Sequence, residues 1–227
     1  MLKADSHSLR ETVIYQTKST GILPCIKSHE KKDLLAYAKA MYEGGAQVIE
    51  VTMTTPGALE AIESIASEFK NRLWVAAGTV LDTVTAREVI LHGGSLIVTP
   101  ALVPEVIRLA NKYCIPVYSG AFTATECLTA MKAGASMIKI FPAQLGGPKY
   151  MTNLKMVFPE VQLIPSGGIH LENAAEFIRC GASAVSGART FMDDEKISAK
   201  GFIWISKRVS KFIEIIQEAR KNLPLLP

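Results

Sequence analysis

A lysine and a glutamate lie in two apolar segments of the sequence and could together carry out amine chemistry. Lys139 stands within MIKIFP at residues 137–142, and Glu50 stands within VIEVT at residues 48–52. An ammonium surrounded by hydrocarbon is costly to desolvate, so we expect the pKa of Lys139 to be lowered and its neutral amine to be accessible near neutral pH. A neutral lysine amine attacks carbonyl carbons and forms a Schiff base. The structural alternative is that Lys139 only pairs with a carboxylate or caps a sheet edge.

Glu50 could act on the same reacting group as Lys139. Alternation along a strand places Glu50, Thr52 and Thr54 on the same side. If Lys139 also points inward, Glu50 reaches the same cavity from another strand. A carboxylate beside an amine can pass protons to and from a substrate, although the same geometry would equally produce a buried ion pair.

The elements that must position these residues alternate between short β-rich runs and longer amphipathic stretches, at roughly one unit per two dozen residues. Eight candidate strands follow: Ile22–Ile26, Ala46–Thr52, Leu73–Gly78, Ser95–Thr99, Pro116–Ser119, Ser136–Phe141, Gln162–Pro165 and Ser183–Ser186. Apolar strands that alternate with helices indicate a parallel sheet covered on its outer face. Eight such units predict an α/β fold of the (β/α)8 TIM barrel type, with a doubly wound open sheet as the alternative.

Two more helices are predicted at the ends of the chain. One, around Ser8–Gln16, is expected to close the bottom of the barrel. The other is an extended C-terminal helix, which we expect to pack on the barrel because its apolar residues share one face. These residues are Ile205, Val209, Phe212, Ile213 and Ile216. The length of 227 residues suits one such barrel, so residues 1–227 are expected to form a single domain.

The predicted strands end in polar residues. In a TIM barrel the carboxyl ends of the strands meet at one mouth, where the chemistry is found. The candidates for this mouth are Lys27, Glu50, Thr52, Thr54, Thr79, Thr99, Lys139, Ser166 and Ser186.

Glycines follow the seventh and eighth strands, in PSGGI at residues 165–169 and VSGAR at residues 185–189. Glycine lets backbone N–H groups approach an anion closely, and the loops after strands seven and eight are the usual phosphate site of this barrel. The two loops therefore predict a phosphate site, and the alternative is a pair of tight turns without a ligand.

Composition argues against several classes of protein. Hydrophobic residues make up 48% of the chain, charged residues 20% and aromatic residues 7%, which is typical of a soluble globular protein. No apolar run is long enough to span a membrane. The net charge of +4 owes much to a basic C-terminal region, which we interpret as a solvated helix face and not as a nucleic-acid site. Its basic residues are Lys200, Lys207, Arg208, Lys211, Arg220 and Lys221.

The cysteines and histidines do not indicate a metal site. The four cysteines are far apart in sequence and are read as reduced thiols, which favours a cytoplasmic location. His29, His92 and His170 fall in loops or at helix ends without a second ligand nearby and are read as surface histidines.

Five motifs taken together resemble the KDPG/KHG aldolase family in order and spacing. They are IEVT at residues 49–52, AGTV at 77–80, IVTP at 97–100, IKIFPA at 138–143 and PSGGI at 165–169. The resemblance runs from about Gly21 to Phe191. It implies a class I (Schiff-base) aldolase that reversibly cleaves 2-keto-3-deoxy-6-phosphogluconate to pyruvate and glyceraldehyde 3-phosphate, the aldol step of the Entner–Doudoroff route. It further implies a homotrimer that works without a metal or other cofactor.

The resemblance also implies roles for individual residues. Lys139 would be the Schiff-base lysine and Glu50 the general acid and base. Thr79 would help to hold the pyruvyl carboxylate, and Pro100 and Phe141 would line the site. Ser166, Gly167, Gly168 and Gly187 would form the phosphate end.

Three positions depart from the family pattern. Thr54 stands where some members carry an arginine that grips the carboxylate, so this task could pass to Lys27, where many relatives have arginine. Ala188 stands where many relatives have serine, and the charge of Arg189 could compensate.

These departures leave the substrate open between the gluconate compound, its galactonate epimer and 4-hydroxy-2-oxoglutarate. Outside the class, the alternatives are a phosphate-binding isomerase or synthase barrel and a non-catalytic paralogue.

Overall fold

The structure, a computed structural model, describes residues 6–29 and 33–221. Its centre is a sheet of eight parallel strands. The strands are β1 (Ile22–Ile26), β2 (Val48–Thr52), β3 (Trp74–Gly78), β4 (Leu96–Val98), β5 (Val117–Ala121), β6 (Met137–Ile140), β7 (Leu163–Pro165) and β8 (Val185–Gly187). Each predicted strand is therefore present, with ends that agree with the prediction or shift by at most two residues.

The sheet closes on itself. Each strand pairs with the next in sequence from β1 to β7, and β1 also pairs with β8. The remaining gap is bridged by the pairs Leu163 with Ala182 and Ser166 with Ser186. The prediction of a (β/α)8 barrel is confirmed, and the open doubly wound sheet is excluded.

Helices cover the outside of the barrel. They are α1 (Ser6–Thr20), α2 (Leu34–Glu43), α3 (Ala58–Phe69), α4 (Thr83–Leu91), α5 (Pro104–Lys112), α6 (Ala124–Ala133), α7 (Gly147–Val157), α8 (Leu171–Arg179), α9 (Asp194–Lys200) and α10 (Ile203–Lys221), with a short 3₁₀ turn at Ala143–Leu145. Their starts carry ordinary capping chemistry. Asp82 accepts a hydrogen bond from Thr85 N at 2.7 Å, and Thr123 and Glu126 form a capping box.

The core has two parts, one between the strands and the outer helices and one inside the barrel. The strands are buried on nearly every residue because one face meets the helices and the other meets the barrel interior. The interior part contains Leu23, Val48, Ala76, Leu96, Val98, Tyr118, Met137, Ile164 and Ala184. We call this set the interior layer.

The N-terminal helix closes the lower end of the barrel, as predicted. Val13 of α1 packs into the interior layer. Tyr118 Oη donates a hydrogen bond to Thr17 Oγ1 at 2.8 Å, which fixes α1 against β5.

The C-terminal helix α10 packs against α8 and α2. Ile205, Val209, Phe212 and Ile216 are buried, as the apolar face predicted, and Ile213 is partly buried. Helix α9 was not predicted; it is short and begins at Asp193, which accepts a hydrogen bond from Lys196 N. Within the described ranges, no helix combines the length and apolar character that crossing a bilayer requires.

Candidate active site

A cavity of about 670 Å³ opens at the carboxyl ends of the strands. Its walls combine charged side chains with the backbone of the two glycine loops. A second depression, of about 370 Å³ between α2 and α3, is bordered by Asp33, Glu60 and small or apolar residues. That depression holds no nucleophile with a base beside it, so the larger cavity is the candidate active site.

Lys139 and Glu50 meet at the floor of the cavity. Lys139 Nζ lies 3.3 Å from Glu50 Oε2 and 3.4 Å from Oε1, and both side chains are almost completely buried. Their strands, β6 and β2, are four apart in a ring of eight, so the two side chains reach each other across the barrel axis. Strand alternation turns both of them inward, as the sequence predicted.

The prediction of a lowered pKa for Lys139 is wrong for this arrangement. Burial does favour the neutral amine and by itself lowers the pKa of Lys139. The carboxylate of Glu50 is the main opposing influence and Cys25 adds to it, and together they place the pKa of Lys139 above its ordinary value. The amine is therefore held protonated by Glu50, and it becomes a nucleophile only after its proton is transferred.

The residues beside Glu50 have small side chains, which leaves room for its carboxylate. A Cβ atom at Gly78, on β3, would come within 1.9 Å of Glu50 Oε1. On the other side, Cys25 of β1 is the register partner of Glu50 and lies 3.3 Å from Ser186 Oγ through its Sγ. Burial raises the pKa of the Cys25 thiol well above its usual range, so it stays neutral. The sequence identified Cys25 only as a reduced thiol, not as a wall of this site.

Thr79 lines the cavity directly after β3, in a strained conformation. Its φ is +59°, in the left-handed region that a β-branched residue rarely adopts. Strain of this kind persists where the surrounding structure imposes it, and it is found most often at functional sites. Thr79 therefore stands where the resemblance expects a substrate-binding residue.

Pro100 and Phe141 also border the cavity, as predicted. Thr99 supports Pro100 from behind, because its hydroxyl donates to Ala101 O at 2.7 Å and accepts from Gly120 N at 3.0 Å. Gly120 must be a glycine here, since a Cβ would lie 2.2 Å from the carbonyl carbon of Pro100.

Thr54 does not border the cavity in this structure. Strand β2 ends at Thr52, so the alternation that placed Thr54 beside Glu50 does not continue to it. Thr54 is exposed, and its hydroxyl donates to Thr52 Oγ1 at 3.2 Å. Thr52 itself is buried and borders the cavity, as does the exposed Lys27 after β1.

The two glycine loops form the other end of the cavity. Gly167 and Gly168 have φ values of +89° and +72°, which only glycine adopts readily. Ser166, Gly187, Ala188 and Arg189 border the same space. The structure thus brings together the residues that the sequence assigned to a phosphate site.

Two cavity residues were not identified as such from the sequence. His170 is exposed, as expected of a surface histidine, and it also borders the cavity. Asn173 fixes it, since the Asn173 side chain accepts from His170 N and donates to Gly168 O, both at 2.9 Å. Arg208, taken as part of a solvated helix face, reaches the cavity from α10. The available signal was Trp204 and Phe212, which stand four residues before and after Arg208 and therefore lie on the same face of the helix.

The cavity carries an excess of positive charge. Lys139 and Glu50 compensate each other, whereas Lys27, Arg189 and Arg208 form no ion pair with another residue in the part of the chain that the structure describes. Such a site attracts a ligand with more than one negative group. Over the same described residues, no three His, Cys, Asp or Glu side chains come together as metal ligands.

A family model for KDPG and KHG aldolase matches residues 13–207. The chain belongs to this aldolase family. The resemblance drawn from the five motifs is thereby confirmed, and the chain is a lyase of the aldolase class.

Individual relatives agree with this assignment. The chain is 30% identical over 206 residues to the 2-dehydro-3-deoxy-phosphogluconate aldolase of Treponema pallidum, covering 90% of this chain and 98% of the relative. It is also 30% identical over 207 residues to the 2-dehydro-3-deoxy-6-phosphogalactonate aldolase of Escherichia coli, with coverage of 90% and 98%.

A solved structure of the family shares the fold. It is the KDPG aldolase of Legionella pneumophila with pyruvate captured at low pH as a covalent carbinolamine intermediate. It matches with a TM-score of 0.79 and 26% identity, covering 92% of this chain and 98% of that one.

Proposed function

We propose that this aldolase reversibly cleaves 2-keto-3-deoxy-6-phosphogluconate into pyruvate and glyceraldehyde 3-phosphate through a Schiff base on Lys139. The observation that carries the proposal is the buried contact of 3.3 Å between Lys139 Nζ and Glu50 Oε2 at the floor of a cationic cavity. A nucleophile and a base within reach of each other are what imine chemistry needs.

Glu50 first takes a proton from the Lys139 ammonium, and the neutral amine attacks the C2 ketone. The resulting carbinolamine loses water with the help of the protonated Glu50, which leaves an iminium ion. The Glu50 carboxylate then removes the proton of the C4 hydroxyl, directly or through a water. The C3–C4 bond breaks and its electron pair moves into the iminium, giving an enamine and the aldehyde. Protonation of the enamine at C3 and hydrolysis release pyruvate and restore the amine.

The charge of the cavity supports a phosphorylated substrate. A carboxylate contributes one negative charge and a phosphate monoester about 1.5 to 2 at neutral pH, and Lys27, Arg189 and Arg208 offer three positive charges. We propose that Ser166, Gly167, Gly168 and Gly187 hold the phosphate, and that Thr79 and Lys27 hold the carboxylate. The compound 4-hydroxy-2-oxoglutarate, which has two carboxylates and no phosphate, suits this cavity less well.

The galactonate epimer is the second candidate substrate. The Escherichia coli relative named for it is as similar to this chain as the Treponema pallidum relative is, at 30% identity each. The two epimers differ at a single hydroxyl, so their kcat/KM values, measured side by side, would assign the substrate.

The test of the chemistry is reductive trapping with pyruvate and borohydride, followed by peptide mass spectrometry. We expect a reduced pyruvyl adduct on Lys139. The Lys139→Met variant should give no adduct, while Lys149→Met, which removes an exposed lysine of α7 outside the cavity, should label normally. Folded protein without an adduct would support an isomerase, a synthase or a non-catalytic paralogue instead.

Three further features belong to the same proposal. The family resemblance supports a homotrimer, which light scattering would detect as three times the mass of one chain. The four cysteines are free, which suits the reducing cytoplasm and the Entner–Doudoroff route. We also propose that residues 1–227 act as one domain, because a single barrel supplies every group of the site.

A further inference from the structure

One arginine of the C-terminal helix lies at the phosphate end of the cavity. Arg208 of α10 borders this cavity together with Gly168, Gly187 and Ala188. Ala188 has no polar side chain, and its neighbour Arg189 is exposed. Arg208 is only partly exposed, so its charge is better shielded from water than that of Arg189.

The guanidinium of Arg208 is held in place by contacts that leave part of it free. Its Nε donates to Thr190 O at 3.0 Å, and Thr190 Oγ1 in turn donates to Ile169 O at 2.8 Å, so Arg208 is connected to both glycine loops. Its Cζ lies 5.2 Å from the ring centre of Phe212 and 5.8 Å from that of Trp204. These contacts fix the plane of the group.

The terminal nitrogens of Arg208 remain available. In the described part of the chain, the Nε bond is its single hydrogen bond to protein, and no carboxylate forms an ion pair with it. Burial lowers the pKa of Arg208, while Glu172 and Asp193 are near enough to oppose that effect by their charge. Arginine still keeps its charge at neutral pH. A fixed, partly desolvated cation with two free terminal nitrogens suits an anion.

We infer that Arg208 binds the terminal phosphate of the substrate through its two terminal nitrogens and so selects for phosphorylated 2-keto acids. This inference rests on the proposed function and adds a phosphate ligand from outside the two loops. A phosphate suits the position better than the substrate carboxylate does, because the carboxylate adjoins the C2 atom that Lys139 attacks. The planar guanidinium presents paired donors that match two phosphate oxygens.

The test compares three variants of the full-length protein, Arg208→Gln, Arg208→Lys and Lys207→Gln. Lys207 is the matched control, since it is exposed on the same helix turn and lies outside the cavity. The first readout is calorimetric binding of glycerol 3-phosphate, an unreactive phosphate ester. We expect R208Q to weaken this binding by about tenfold or more, the effect of losing a charged hydrogen-bonding partner. K207Q should change it by less than about twofold, as a screened surface charge does, and R208K should lie between the two.

The second readout is the kinetics of cleavage. In R208Q we expect KM for the phosphorylated substrate to rise more than kcat falls, which a purely structural role of Arg208 would not produce. Thermal unfolding of each variant shows whether it folds. If R208Q does not fold, the comparison of R208K with K207Q tests the inference. Equal binding of glycerol 3-phosphate by R208Q and K207Q would overturn the inference.

The two proposals can fail separately. If the wild-type protein forms no pyruvate adduct and cleaves no substrate, the aldolase mechanism fails, but the binding of glycerol 3-phosphate still tests Arg208. If the wild-type protein cleaves its substrate and R208Q behaves as K207Q does, the mechanism stands and the role of Arg208 fails.

Discussion

The lower and upper halves of the barrel interior are built by the same strands and differ completely in chemistry. On β2, Val48 belongs to the apolar interior layer, and Glu50, two residues later, forms the floor of the cavity. On β6, Met137 likewise belongs to the interior layer and Lys139, two residues later, borders the cavity. Residues two apart on a strand point to the same side, so a rise of about 7 Å along the strand separates the apolar layer from the charged pair.

The difference shows how a buried ion pair is tolerated. The lower half contributes apolar burial and is closed by α1, whereas the upper half contains two buried charges whose desolvation opposes folding. The apolar layer supports the strands on which those charges stand. We therefore expect changes in the upper half to affect activity first and changes in the lower half to affect stability first.

Replacing Glu50 by Gln tests this comparison with the largest expected effect. Loss of the proposed acid and base should lower kcat of the folded protein by roughly 10²- to 10⁴-fold. The free energy of unfolding should fall as well, because the variant leaves the Lys139 amine buried without its carboxylate partner. Without the carboxylate, burial is the largest remaining influence on Lys139, so its pKa should fall below the ordinary value instead of lying above it. The pH profile of pyruvate trapping should therefore shift to lower pH. A variant with normal turnover and an unshifted profile would exclude Glu50 from the mechanism.

Replacing Met137 by Ala tests the opposite half. The cavity left in the interior layer should lower the free energy of unfolding by about 2–5 kcal/mol, measured by urea denaturation. Activity per folded molecule should fall much less than in E50Q. Met156→Ala is the control, because Met156 is exposed on α7. This substitution should change the free energy of unfolding little. A loss of activity as large as that of E50Q would contradict the division between the two halves.

Replacing both charges by apolar residues should make the upper half resemble the lower one. The Lys139→Met, Glu50→Leu double variant should be inactive and equal to or more stable than the wild type, by up to about 4 kcal/mol. The raised pKa of Lys139 means that the charged amine stabilises the wild-type fold below the ordinary lysine pKa. That contribution is lost as the pH rises through the raised value. The advantage of the double variant should therefore grow above about pH 10.4, and an advantage that shrinks there would contradict the sign of the shift.

Replacing Tyr118 by Phe should have the smallest effect. The variant loses the hydrogen bond of 2.8 Å from Tyr118 Oη to Thr17 Oγ1, so the free energy of unfolding should fall by about 1 kcal/mol. Activity should not change. Tyr15→Phe, which alters an exposed tyrosine of the same region, is the control and should be neutral. A loss of activity in Y118F would show that the closure of the lower end controls the upper end.

The elements of the fold could be predicted because each leaves a local pattern. Alternating apolar strands and amphipathic helices are visible in the sequence, and all eight strands were located in this way. Lys139 and Glu50 could be found as well, since charged residues inside apolar strands are rare and conspicuous.

The rest depended on distances between elements that a local pattern does not contain. The pKa of Lys139 was predicted in the wrong direction because the gain from Glu50 depends on a contact across the barrel. The position of Thr54 outside the cavity could not be read from strand alternation, because strand β2 ends two residues before it. Arg208 was missed because Trp204 and Phe212 indicate that it lies on a packed helix face but not which part of the barrel that face meets.

The contact between Lys139 and Glu50 is also a gauge of barrel closure. The two residues are 89 positions apart in the chain and stand on opposite sides of the ring. They come into contact only when the strands between them curve into the barrel. In a half-assembled chain, Lys139 is an ordinary solvated lysine. Reduction in the presence of pyruvate would then label only molecules whose barrel is closed. The extent of labelling during refolding would therefore measure the fraction of molecules with a closed barrel.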